Sequence, residues 1–212
     1  MSEPAPRAST TVSARPVRSR VHTRQRLLDA AEAVFAQKGV GGVSVDELTT
    51  AAGFSRGAFY SNFSSIEEVF HAVVEHQSRQ LLDRARAAIE ALDPAWSWES
   101  LDALLRPLVP DDPSWFLLQQ EFAVQALRSE RTRAAYAAMR EGLRGEMEEI
   151  IAAALELLGR RSLLPIDQLT ETVVALFLHG VGTDHHGVGS LTSETVASSV
   201  LPQVILGLSE PT

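Results

Sequence analysis

The sequence predicts an all-α protein, a three-helix N-terminal head joined to a larger helical body. Two observations carry this reading: apolar residues recur with a helical period along almost the whole chain, and serine-led capping signals and glycines punctuate the periods. No stretch shows convincing strand alternation. With 212 residues, 45% of them hydrophobic and 22% charged, the chain has enough apolar material for a real core. Cysteine is absent, which excludes a disulfide framework, thiolate zinc sites and thiol nucleophiles. The longest apolar run, residues 173–182, is broken by His179 and falls short of the roughly 20 residues that span a bilayer. No apolar segment of a secretory signal follows the first charges, so a cytoplasmic protein is expected.

The net charge is -8, yet it is unevenly spread. Through Asn62, eight basic residues against five acidic ones leave +3, while the remaining 11 basic and 22 acidic residues leave -11. A basic segment on an acidic body suits a protein that turns one part toward phosphate.

Residues 1–22 read as a flexible basic arm carrying Arg7, Arg15, Arg18 and Arg20. Leu27, Ala31, Val34 and Phe35 then form one stripe of a helix over residues 23–38, stopped by Gly39, Gly41 and Gly42. Ser44 followed by Glu47 is a capping box that opens a second helix, burying Val45, Leu48 and Ala52 and ending at Gly53. Ser55 caps a brief third helix, with Phe59 and Phe63 inward and Arg56, Gly57, Tyr60 and Ser61 outward. Ser64 or Ser65, each with a glutamate three residues later, starts a fourth helix reaching about Leu92. Its stripe is Ile66, Val69, Phe70, Val73, Val74, Leu81 and Ala85, and its length suffices to join head to body. Further helices are predicted over residues 98–108, 114–128, 129–158, 166–184 and 193–208, with residues 159–165 as a plain connection.

Only Gly53 and Phe54 separate the second and third helices, so these must cross steeply, as in a helix-turn-helix. Gly53 supplies the left-handed turn, Ala52 permits close approach, and Leu48, Phe54 and Phe59 fill the wedge. The outward face of the third helix is small or hydrogen-bonding, fit to enter a major groove about 12 Å wide.

The run "VSVDELTTAAGFSRGAFYSNFSSIEEVF" (residues 43–70), preceded by "RLLDAAEAVFAQKG" (residues 26–39), closely resembles the DNA-binding domain of the tetracycline-repressor (TetR) family of bacterial transcriptional regulators. The likeness covers about residues 20–74; "LLQQEFAVQALRSERTR" and "ALFLHGVG" are similar to the family's more variable regions. It implies that Arg56 reads base edges, with a guanidinium suited to guanine O6 and N7, and that Gly57 and Ala58 face the groove, Ala58 toward a thymine methyl. It implies phosphate or nearest-base contacts for Tyr60 and Asn62, with Ser61 beside them, and Ser44 and Ser55 suit phosphate as caps with free amides nearby. One departure is Ile66, where the family commonly has a phosphate-binding lysine; Arg20 and Arg24 are placed to compensate.

The resemblance further implies a homodimer on double-stranded DNA with a palindromic operator, and repression relieved by a small apolar or amphipathic effector. The dimer would use the last two helices, whose apolar faces are Val173, Val174, Leu176, Phe177 and Val181, and Val196, Val200, Val204 and Leu208. Effector candidates are Trp98, Trp115, Phe116, Gln119, Tyr136, Met139, Phe177 and His179, with Trp96 nearby. Expected domains are the arm (1–22), the DNA-binding head (23–68) and the effector and dimerisation body (69–212).

"TDHHG" (residues 183–187) invites a metal reading, but His185 and His186 diverge by about 100° on a helix and suit a helix end. No hydrolase elbow, phosphate-cradling loop or zinc-protease motif occurs, so no catalysis, metal or cofactor is expected. Two rivals remain: an effector-independent DNA-binding protein of the same fold, and a helical metal-binding enzyme using His179, His185 and His186.

Overall fold

The structure, a computed structural model, describes residues 16–91, 108–109 and 112–212. The first helix, α1 (Pro16–Lys38), starts earlier than its apolar stripe does. Proline is well placed at a helix start, since its missing N–H would be unpaired there anyway. Residues 16–22, expected in the arm, are therefore helical; the rest of the arm lies outside the described residues. Leu27, Ala31 and Phe35 are buried, as their four-residue spacing requires.

A short 3-10 turn (Val40–Gly42) leads to α2 (Val45–Ala52). The Ser44–Glu47 capping box forms reciprocally, and Gly53 ends the helix in the left-handed region at φ 72°. Ser55 caps α3 (Arg56–Tyr60), and Ser65 caps α4 (Ile66–Glu90), whose 25 residues run from head to body. The helix expected over residues 98–108 lies outside the described residues apart from Leu108.

The body continues with α5 (Ser114–Arg128), α6 (Glu130–Leu157) and α7 (Ile166–His186). The last helix, α8, runs from Ser193–Thr195 through a π-helical turn (Val196–Val200) into Leu201–Gly207. The widened turn ends two residues before Pro202, which has no N–H to continue the usual ladder. Gly180 on α7 lets α8 approach closely, because a Cβ there would come within 2.9 Å of the Ser193 Cα.

The expected plain connection instead contains a strand. Residues Arg160–Ser162 (β1) pair antiparallel with Ser209–Pro211 (β2), placing Arg161 opposite Glu210. Three residues are too few for a visible alternation; side chains reinforce the pairing, with Arg160 Nε donating to Ser209 Oγ at 2.7 Å and Arg161 in an ion pair with Glu210.

The head does not close its own core. Leu27, Phe35, Leu48, Phe59, Phe63 and Phe70 form one buried cluster that also takes Leu118 and Phe122 from α5. The Phe122 ring meets Phe70 edge-on at 5.7 Å, stacks on His71 at 4.6 Å and meets Tyr136 edge-on at 5.1 Å. Burial in this cluster lowers the pKa of His71, although Glu67 opposes the shift. On the last two helices, Val181 and Val196 are packed within the chain, so they do not belong to a free face. Val173, Val174, Leu176, Phe177, Val200, Val204 and Leu208 are half-exposed. Among the described residues no helix is long and apolar enough to cross a membrane.

Candidate nucleic-acid interface and body cavity

Two caps and one buried wedge present the outer face of α3. Leu48 and Phe59 are fully buried between α2 and α3, which fixes the crossing and turns Arg56, Gly57, Tyr60 and Ser61 outward. Tyr60 is 60% exposed, its ring edge-on to Phe59 at 5.2 Å, so the hydroxyl end is free to reach beyond the helix. At Gly57 a Cβ would meet only Ser55 Oγ, at 3.7 Å, which leaves the surface above it open.

Arg56 projects from the start of α3, and its Nε and Nη2 donate to the two carboxylate oxygens of Asp46 on α2. Arg56 is thus charged, exposed and held. Its partner holds Asp46 below the usual carboxylate range, chiefly through that hydrogen bond. Next to it, Glu47 accepts from Lys38 Nζ at 2.6 Å and from the Ser44 amide at 3.0 Å, and these bonds lower its pKa to about 2. Sequence reasoning missed Asp46 as a participant: it lies ten positions from Arg56, on a different helix, so no local spacing announces it.

Three expected contacts need correction. The amide of Ser44 is not free, since it donates to Glu47 Oε2, and the Ser44 hydroxyl is engaged with the same carboxylate. Ala58 is half-buried rather than fully presented, and its carbonyl accepts from Ser61 Oγ at 2.8 Å and Asn62 Nδ2 at 2.7 Å. Asn62 therefore closes the end of α3 instead of reaching outward. Ser55 is exposed, with its hydroxyl accepting from the Ala58 amide at 3.2 Å.

Arg24 on α1 does come to this face. Its Nη1 donates to the Asn62 carbonyl at 3.1 Å and its guanidinium lies 4.2 Å from the Phe63 ring centroid, which fixes a cation beside the end of α3.

The body holds a cavity of about 480 Å³, walled by α4 (Leu81, Leu82), α5 (Trp115, Gln119) and α6 (Tyr136, Met147) and closed by α7 at Phe177. That volume lies in the range of small-molecule sites. Of the effector candidates, Trp115, Gln119, Tyr136 and Phe177 line this cavity. Three other candidates do not. Phe116 sits one helical step from Trp115 and packs on Gly182, where a Cβ would meet its ring at 2.9 Å. Met139 packs against the head core, and His179, two steps from Phe177, is exposed. Trp96 and Trp98 lie outside the described residues.

The flank of α5 next to its cavity-lining residues grips the head. Glu121 Oε1 accepts from the Val40 amide at 2.8 Å, across 81 positions of sequence, while Leu118 and Phe122 enter the head core. Gln119 Nε2 donates to Ser78 Oγ on α4 at 2.7 Å, tying the cavity wall to the connecting helix.

Among the described residues no group of His, Asp and Glu is arranged to hold a metal ion. Asp184 accepts from the Ser193 amide at 3.1 Å and so caps α8, while the rings of His185 and His186 lie against Phe116.

Residues 27–73 match the sequence family described as "Bacterial regulatory proteins, tetR family". The "HTH-type transcriptional regulator SrpR" of Pseudomonas putida is 41% identical over 59 residues, which is 28% of this chain and 28% of that protein. The chain covers between 25% and 53% of the length of the curated relatives it matches. Over its length the chain is similar to a putative TetR-family transcriptional regulator from Mesorhizobium loti, with TM-score 0.70 and 18% identity, covering 90% of this chain and 98% of that one. A putative transcriptional regulator from Saccharomonospora viridis, solved in complex with choline, gives TM-score 0.66 at 15% identity and covers 90% and 99%. These structural likenesses extend the common fold through the body.

Proposed function

We propose that the chain is a member of the TetR family of bacterial regulatory proteins, whose description matches residues 27–73, and that it is a sequence-specific DNA-binding transcriptional regulator, a repressor released from its operator by a small molecule. The observation that carries this reading is the exposed α3, capped by Ser55 and presented by the buried Leu48–Phe59 wedge with Arg56 and Tyr60 outward. In this reading residues 23–68 read DNA, residues 69–212 bind the effector and dimerise, and the protein works in the cytoplasm, where the genome is. It is a binding protein and not an enzyme.

Arg56, Gly57, Tyr60 and Ser61 enter the major groove, while Arg24, with Ser55 at the start of α3, lies toward the backbone. A two-fold dimer through the half-exposed faces of α7 and α8 sets two copies of α3 about 34 Å apart or slightly more, which calls for a palindromic site. The effector occupies the cavity against Trp115, Gln119, Tyr136 and Phe177. Its size and aromatic wall favour this over an effector-independent regulator.

Release follows from the position of α5. A ligand that prefers one placement of Trp115 and Gln119 shifts the helix whose adjoining flank holds Val40 and the head core, and with it α4 through Ser78. Operator affinity then changes by the ligand's differential affinity for the two arrangements. The test begins with genomic fragments captured on the purified chain at low salt, followed by sequencing and by titration of apolar compounds against the bound complex. A palindromic site released by a saturating compound is expected; failure to enrich any fragment overturns the reading.

A further inference from the structure

We propose that Asp46 is a positioning residue for base recognition: it holds one edge of the Arg56 guanidinium so that the other edge meets a guanine. The proposal rests on the DNA-reading function above and adds a specificity determinant from outside α3.

The argument is one of donor accounting. A guanidinium carries five N–H groups in a rigid plane. Two of them, at Nε and Nη2, face the Asp46 carboxylate side-on. Three remain, and one on Nη1 and one on Nη2 point in parallel from the tip of the side chain. That pair matches the O6 and N7 acceptors of guanine in the major groove. The carboxylate and the base therefore use different edges and do not compete.

The neighbouring acid cannot take Asp46's place. Glu47 is engaged by Lys38 Nζ at 2.6 Å and by both the amide and the hydroxyl of Ser44. The same capping box anchors the first turn of α2, and so fixes where the Asp46 carboxylate stands relative to α3. In water the exposed Asp46–Arg56 pair adds little to folding, because solvent screens it and two flexible side chains must be ordered. Against a duplex, water leaves, the pair strengthens, and the arginine arrives with its side chain already ordered. A carboxylate on a face that meets phosphate carries an electrostatic cost, which holding the reading arginine offsets.

The experiment compares the unaltered chain with Asp46→Asn, Arg56→Ala and the double variant, each selecting bound fragments from random-sequence duplexes. Asparagine keeps the size but loses the charge and the two-oxygen grip. We expect Asp46→Asn to lower the preference for guanine at one base pair of each half-site on the order of tenfold, with unchanged melting temperature and no weakening on random DNA. In the Arg56→Ala background the Asp46 change should leave base preference untouched. If Asp46→Asn retains the full preference, Asp46 does not position the arginine. If it tightens operator binding and sharpens the preference, Asp46 is a lock that DNA must break; either result overturns the proposal alone. Absence of any enriched site with the unaltered chain overturns the DNA reading itself, and this proposal with it.

Discussion

Replacing Phe122 by alanine tests whether head and body fold as one unit. Phe122 is 1% exposed on α5, yet it belongs to the cluster containing Leu27, Phe35 and Leu48 of the head. Truncating a buried phenylalanine costs about 3–5 kcal/mol through lost transfer free energy and the cavity left behind. Its ring partners Phe70, His71 and Tyr136 lie 4.6 to 5.7 Å away and would each lose an aromatic contact. Such pairs add about 0.5–1.5 kcal/mol apiece, so the upper end of the range, about 4–5 kcal/mol, is expected. For a chain of this size that lowers the melting point by roughly 10–15 °C. The assay is urea and thermal unfolding followed by two probes. Far-UV circular dichroism reports all helices, whereas tryptophan fluorescence reports the stretch beyond the head that holds Trp96, Trp98 and Trp115. One coincident, shifted transition is expected. A fluorescence transition that falls while a separate head transition stays unmoved would refute the shared core.

Arg56→Ala should weaken operator binding by about 1–3 kcal/mol and random DNA by much less, as read by mobility shift; equal losses on both would make Arg56 a phosphate ligand. Gly53→Ala forces a Cβ into the left-handed region at φ 72° and should cost about 1–2 kcal/mol in urea unfolding; an unchanged midpoint would mean that the turn relaxes freely. The head should lose stability as pH falls. Glu47 drops from an ordinary 4.5 to about 2 in the folded chain, so its contribution is full above pH 4.5 and disappears progressively down to about 2. Glu47→Gln should flatten that part of the melting-versus-pH profile, and an unaltered slope would show that other carboxylates govern it.

What the sequence discloses here is whatever a few adjacent residues decide. The Ser44–Glu47 box, the Gly53 turn and the inward Phe59 and Phe63 each follow from spacings of three to six residues, and each forms as expected. The grip of Asp46 on Arg56 and of Glu121 on Val40 joins separate helices, and no periodicity marks such pairs in advance. The same limit explains the cavity. Aromatic identity singled out Trp115 and Phe177, which line the cavity, but also Phe116, Met139 and His179, whose helical phase turns them elsewhere. The β1–β2 ribbon is three residues long on each side and depends on Arg160 reaching the far end of the chain.

The borrowed core has a practical consequence for chimeras. A head cut at residue 68 and grafted onto a foreign body would leave behind Val69 and Phe70 and the two α5 side chains that seal it, and Val40 would surrender its carboxylate partner. A transplantable reading module from this chain must carry α5 along, or receive a host helix with a leucine, a glutamate and a phenylalanine in the phase of Leu118, Glu121 and Phe122.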